Sequence, residues 1–227
     1  RELESLLASL FGAESALVFS RRYHMNTGIL PAVTDANTLI LADKLVHASL
    51  IDGIRLSRPS ASVTVIRTMR SWRICWPNIT ASITGYVVTE SVFSMDGDVA
   101  SLDRLVELKR RYANVMLYVD EAHGIAVRGQ RGLGVAEEQG CLKDIDFLCG
   151  TFGKAMASVG AYVVCRKVMH DYLVNRMRTL IFTTSLPPIN VAWTRFVLSH
   201  LEDMQVRREH LAKISASLRT AIRKSGV

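Results

Sequence analysis

No apolar run in the 227-residue chain approaches the roughly 20 residues a membrane-spanning helix needs, so a protein threaded through a bilayer is not expected. The opening Arg1-Glu2-Leu3-Glu4 is unlike a signal peptide. Only four cysteines occur, and Cys75, Cys141, Cys149 and Cys165 form neither a CxxC pair nor a metal-ligand spacing. That argues against a disulfide scaffold and a zinc module, and makes a reduced cytoplasm the expected compartment. Internal repeats and low-complexity tracts are absent as well. So is a G-x-x-x-x-G-K-[ST] phosphate loop, since the only Gly-Lys pair, Gly153-Lys154, is followed by Ala155. Asp120-Glu121-Ala122-His123 after an apolar run looks like the second ATPase motif of a helicase, but without that loop nucleotide hydrolysis is the weakest reading.

What is there begins with apolar material. Hydrophobic residues make up 49% and charged ones 22%, enough for a substantial core in one large domain, which excludes disorder as the main state. The formal charge of +7 points weakly to anionic partners such as phosphate esters, coenzyme A or nucleic acid. Short β-branched or aliphatic runs at 16–19, 39–42, 63–66, 86–89, 115–120, 147–149 and 161–164 read as strands. Helical spacing recurs between them, as at Leu3, Leu6, Leu7 and Leu10 or at Leu102, Leu105, Val106 and Leu108, with Asp98 or Ser101 as the cap of the latter helix. This alternation implies crossover connections and a mostly parallel sheet with helices on both faces. Such sheets bind ligands beyond the carboxyl ends of their strands, so polar residues there are the place to look for chemistry.

Four stretches qualify: His47-Ala48-Ser49, Thr89 to Asp98, Val119 to Gly124, and Gly150-Thr151-Phe152-Gly153-Lys154. Taken singly, each residue has a plainer reading. A Lys after Gly is commonly a solvated turn residue, an Asp ending a strand a turn former or cap, a His a packing residue, and a Ser or Thr a turn cap. Cys149, inside a strand, reads as core. Together, an Asp at one strand end, a His three residues on and a Lys about thirty residues later suit pyridoxal phosphate. That cofactor needs an amine for its aldehyde, a buried carboxylate for its ring nitrogen, and hydroxyls or a helix N-terminus for its phosphate.

Five ordered motifs then resemble the α-oxoamine synthases: His47 to Gly53, Val92 to Asp98, Asp120 to Gly124, Gly150 to Lys154, and Phe182-Thr183-Thr184-Ser185-Leu186-Pro187-Pro188. The resemblance runs in register over nearly the whole chain. It implies a fold-type-I pyridoxal phosphate enzyme, an α/β three-layer sandwich around a mostly parallel seven-stranded sheet. The reaction it implies condenses an amino acid with an acyl-CoA and releases CO₂ and coenzyme A. Carried over residue by residue, Lys154 forms the Schiff base and shuttles the proton at the substrate Cα. Asp120 pairs with the ring nitrogen, His47 stacks on the ring, His123 and Ser94 lie near the ring hydroxyl, and Thr151 binds phosphate. Thr183 or Thr184 reaches the phosphate of the neighbouring subunit's cofactor, which implies a homodimer with shared active sites. Tyr23 matches the family's aromatic position among the cofactor-binding residues. No metal, nucleic acid or membrane partner is implied.

Three departures stand out. The family's Ser-Gly-Tyr or Ser-Gly-Phe is replaced by Arg21-Arg22-Tyr23, and Arg22 either crowds the cofactor or adds a cation near its phosphate. Residues 68–84 lack the family's His-Asn pair and acidic helix. With suitable codons, the same DNA read one base earlier restores both, which suggests a compensated pair of frameshifts and removes most of the basic surplus. Finally, the match begins and ends inside the family's length. Residues 1–200 are then expected to be a cofactor-binding large domain lacking its N-terminal segment, and 201–227 the helical start of a truncated small domain. That small domain normally supplies the arginine for the substrate carboxylate.

Overall fold

The computed structural model describes residues 1–57, 62–66 and 84–225, with 62–66 described by backbone alone. The strands are β1 (Ser15–Phe19), β2 (Thr38–Asp43), β3 (Ser62–Ile66), β4 (Thr84–Glu90), β5 (Val115–Asp120), β6 (Phe147–Thr151) and β7 (Ala161–Cys165). They form one sheet in the order β1-β7-β6-β5-β4-β2-β3. Pairing is parallel from β6 through β5, β4 and β2 to β3, and antiparallel on both sides of β7. The mostly parallel α/β architecture anticipated from the alternating sequence pattern is present. Each strand extends the corresponding apolar run by at most two residues at either end. The irregular stretch at 68–84 lies outside the described residues apart from Thr84, which opens β4.

The helices are α1 (Glu2–Phe11), α2 (Arg22–Val33), α3 (Ala48–Leu56), α4 (Leu102–Lys109), α5 (Val135–Glu138), α6 (Lys167–Arg176), α7 (Arg178–Ile181), α8 (Pro188–Ser199) and α9 (Gln205–Ser225). Ser101 occupies the cap position of α4, but its hydroxyl makes no capping hydrogen bond. Two hydrophobic layers result from strand alternation, because successive side chains point to opposite faces. Leu117 and Val119 of β5, Val87 of β4 and Leu148 of β6 join Leu3, Leu7, Leu102 and Leu105 from α1 and α4 on one face. Tyr118, Tyr86, Val88, Phe147 and Cys149 join Met25, Ile29, Leu50 and Ile54 from α2 and α3 on the other. Cys149 is fully buried, as a core residue should be.

The same alternation decides where the polar strand ends point. Glu90, Asp120 and Thr151 share parity with the side chains packed under α2 and α3, so the chemistry emerges on that face. The two helices pack closely against each other. Gly53 of α3 sits directly against the backbone carbonyl of Asn26 in α2, where any side-chain carbon would collide with main chain.

Candidate active site

Sheet register builds the centre of the site. Glu90 ends β4 directly beside Asp120 at the end of β5, and Asp120 pairs in turn with Cys149 of β6. Two carboxylates, each almost completely buried, therefore stand side by side at adjacent strand ends. Such a pair requires compensation, because burial disfavours ionised groups and like charges repel. Arg22, the first residue of α2, supplies it. Its Nε donates to Asp120 Oδ2 at 2.7 Å and its Nη2 to Glu90 Oε1 at 3.0 Å. Burial alone would lower the Arg22 pKa, yet the two carboxylates outweigh it and the net direction is upward. Glu90 is pushed up to about 7, chiefly by burial, with Arg22 pulling the other way.

Asp120 is held from three directions. Its Oδ1 accepts from the Ala122 amide at 2.9 Å, and its Oδ2 accepts from Asn26 Nδ2 at 3.0 Å as well as from Arg22. Asn26 is the hub of a wider network, since its Oδ1 accepts from the Tyr118 hydroxyl at 2.7 Å and its Nδ2 also reaches Ser49 Oγ at 2.9 Å. Ser49 Oγ then lies 2.8 Å from His47 Nδ1. His47 is the cap of α3, where the same ring nitrogen accepts from the Ser49 amide, and its own amide donates to Glu90 Oε1 at 2.5 Å. The strand-end carboxylates and the His47 ring are thus positioned by one connected set of bonds. Burial first, and then the charge of Arg22, lowers the His47 pKa.

Lys154 and His123 complete the cluster. Lys154 follows β6 in the bend after Gly153, and its Nζ lies 2.6 Å from Nε2 of His123 in the turn after β5. Burial, reinforced by Arg22, lowers the Lys154 pKa to about 8. A few hundred times more of it, roughly, is then the neutral, nucleophilic amine at pH 7 than for an ordinary lysine. Burial, and next the charge of Lys154, takes His123 down to about 4, so its imidazole is a neutral acceptor for the amine. Thr151 is buried at the end of β6, where its hydroxyl donates to the Gly160 carbonyl at 3.0 Å and accepts from the Gly153 amide at 3.2 Å.

Behind these groups, Glu121 is fully buried and ties three segments together. It accepts from the Ser91 hydroxyl and, at 2.7 Å, from the Ala136 amide of α5. Burial pushes its pKa up to about 7. Gly134, with φ +106°, passes against this carboxyl group, and an added Cβ would lie 2.5 Å from it.

Of the residues singled out from sequence, the fold gathers Lys154, His123, Asp120 and His47 around one carboxylate pair, with Thr151 at the end of the adjoining strand. Tyr23 is exposed on α2 and donates to Asp52 at 2.8 Å, Ser94 is exposed in the turn after β4, and Thr183 and Thr184 are exposed after α7. The sequence reading did not assign Asn26, Ser49, Tyr118, Glu90 or Glu121. Asn26 and Arg22 carried a signal nonetheless, standing one helical turn apart on α2 and so sharing a face.

An amine kept partly neutral, a buried carboxylate, two imidazoles and a strand-end hydroxyl suit carbonyl chemistry on a ligand with a protonated nitrogen. The comparisons agree with that chemistry. Residues 1–227 match the family described as aminotransferase class I and II. A Pasteurella multocida protein described as "Putative 8-amino-7-oxononanoate synthase" is 58% identical over 226 residues, covering 97% of this chain and 57% of that protein. A Haemophilus influenzae protein with the same description is 52% identical over 97% of this chain and 58% of its own length. Among solved structures, Sphingomonas wittichii serine palmitoyltransferase superposes with a TM-score of 0.91 at 33% identity, covering 98% of this chain and 55% of that one. The 8-amino-7-oxononanoate synthase from Francisella tularensis gives 0.80 at 30% identity, covering 92% and 60%. The chain spans between half and two thirds of the length of each of these proteins.

Proposed function

The chain belongs to the aminotransferase class I and II family, and on that premise we propose that it is the cofactor-binding part of a pyridoxal-phosphate-dependent acyltransferase. The substrates we propose are an amino acid and an acyl-CoA, with release of CO₂ and coenzyme A. The descriptions of its relatives favour alanine with a pimeloyl thioester, giving 8-amino-7-oxononanoate for biotin synthesis. A sibling activity such as glycine C-acetyltransferase is the nearest alternative. The single observation carrying the proposal is the Lys154 amine, lowered to about 8 and set against His123 beside the buried Asp120.

The residues present fit the cofactor by the chemistry of the donor set. Lys154 would bind its aldehyde carbon, Asp120 would hold its ring nitrogen, His47 and His123 would flank the ring, and Thr151 would serve its phosphate. Ser94, Tyr23 and, from a neighbouring subunit in a homodimer, Thr183 or Thr184 complete the proposed set. When bound, the cofactor supplies an aldehyde for amines and a ring that withdraws electrons from the substrate carbon. The protein's own part is acid–base and positional. Lys154, partly neutral at its lowered pKa, takes the proton from the amino-acid Cα. His123, neutral at the same pH, accepts a hydrogen bond from the lysine and orients it. Asp120, itself almost completely buried, would be the carboxylate partner of the ring nitrogen.

Purified protein mixed with pyridoxal phosphate should develop a visible absorbance band that borohydride abolishes and that Lys154→Ala never shows. A chain that keeps the fold but has lost the cofactor is the second reading, favoured by Arg22 lying across Asp120. Absence of the band in the wild type would favour that reading over the acyltransferase. Among the described residues no helix is long and apolar enough to cross a membrane.

A further inference from the structure

Three of the four lone-pair sites of the Asp120 carboxylate are filled, and Oδ2 is full. Oδ1 is committed to the Ala122 amide, and Oδ2 already takes two N–H donors, from Asn26 at 3.0 Å and Arg22 at 2.7 Å. A carboxylate oxygen has two lone pairs, so a third donor arriving at Oδ2 must displace one of these two. Asn26 cannot yield cheaply, being fully buried and bonded to Tyr118 and Ser49 as well. Arg22 stands at the first position of α2, its guanidinium bonded among the described residues only to the two carboxylates, and a long side chain at a helix start is the easier of the two to displace. Chemically, a guanidinium N–H and a protonated ring N–H are the same kind of partner for Oδ2: a cationic, planar nitrogen donor.

We propose that Arg22 competes with the cofactor for Asp120, so that cofactor affinity in this chain is set by the cost of turning Arg22 out of the site. The inference rests on the function proposed above and deepens it. Arg22 holds Asp120 and Glu90 together as a stable buried cluster, and binding exchanges one cationic donor for another. The displaced charge also matters beyond Asp120. Lys154 and His47 both feel Arg22, which lowers their affinity for protons, so its movement resets the charge of the whole site.

The opposite role, a cation that anchors the cofactor's phosphate, predicts the reverse effect of removing Arg22, and the two can be separated directly. Wild type, Arg22→Met and Arg22→Gly are compared by equilibrium dialysis with pyridoxal phosphate and with pyridoxal, which lacks the phosphate, and by thermal unfolding without either compound. Competition predicts that both variants bind both compounds about 10- to 100-fold more tightly, the worth of one charge-assisted hydrogen bond that no longer has to be broken. It also predicts that both variants melt at lower temperature without ligand, since Glu90 and Asp120 lose their counter-charge. Arg22→Met retains helix propensity, so a folding defect peculiar to glycine does not obscure the result. Binding that is unchanged, or weakened for pyridoxal phosphate while pyridoxal is unaffected, overturns the proposal. If none of the three proteins binds either compound, the cofactor assignment itself fails, and the proposal with it.

Discussion

Replacing Asn26 by Ala is the sharpest test of how the site is held. The side chain is fully buried and makes three hydrogen bonds, to Tyr118, Ser49 and Asp120. Their losses are unequal. Ser49 keeps His47, and Asp120 keeps Arg22 and the Ala122 amide, so each forfeits about 1 kcal/mol. Tyr118 is left with the Cys149 thiol, a weak acceptor, and an almost unsatisfied buried hydroxyl costs about 1–3 kcal/mol. The total is about 3–5 kcal/mol, which for a chain of this size lowers the melting temperature by about 10 °C. Tyr118→Phe alone leaves the Asn26 carbonyl unpaired and costs about 1–2 kcal/mol. In the double variant neither orphan exists, so its cost should fall short of the sum by about 2–5 kcal/mol. Urea unfolding of the four proteins measures the cycle. An additive cycle, or an Asn26→Ala loss below about 1 kcal/mol, would refute the hub assignment.

Three further outcomes are expected. Glu121 has a folded pKa of about 7 against 4.5 for an unperturbed glutamate, so the folded state binds its proton more tightly than the unfolded chain. Its contribution to stability is full below about pH 4.5 and is lost as pH rises towards 7. Glu121→Gln, whose amide can satisfy Ser91 and Ala136, should therefore gain on the wild type by roughly 2–3 kcal/mol across that window, and a pH-independent difference in unfolding free energy would contradict the assignment. Gly53→Ala drives a methyl group into the Asn26 carbonyl, and should cost about 2 kcal/mol or more in chemical denaturation while weakening cofactor binding through the displaced hub. Lys154 should react with an amine-directed acylating reagent along a pH profile centred near 8, read by peptide mass spectrometry, whereas a midpoint near that of other lysines would remove the electrostatic basis for its role.

Much of this protein was legible in one dimension. Strand positions were, because buried strands are short runs of β-branched and aliphatic residues whose local composition announces them. The coming together of Lys154, Asp120, His123 and His47 was also anticipated, because the carboxyl ends of parallel strands converge. Exposed Tyr23, Ser94, Thr183 and Thr184 are named by motif alone. The bonds between the central residues were not legible at all. Asn26 meets Asp120 across 94 positions and Tyr118 across 92, and Arg22 meets Glu90 across 68. No local rule distinguishes a helical Asn facing solvent from one closing a buried network. The sequence also left Arg22 between crowding the site and serving a phosphate. Tertiary structure decided its place: register sets Glu90 beside Asp120, two buried carboxylates demand a cation, and the first residue of α2 is within reach of both.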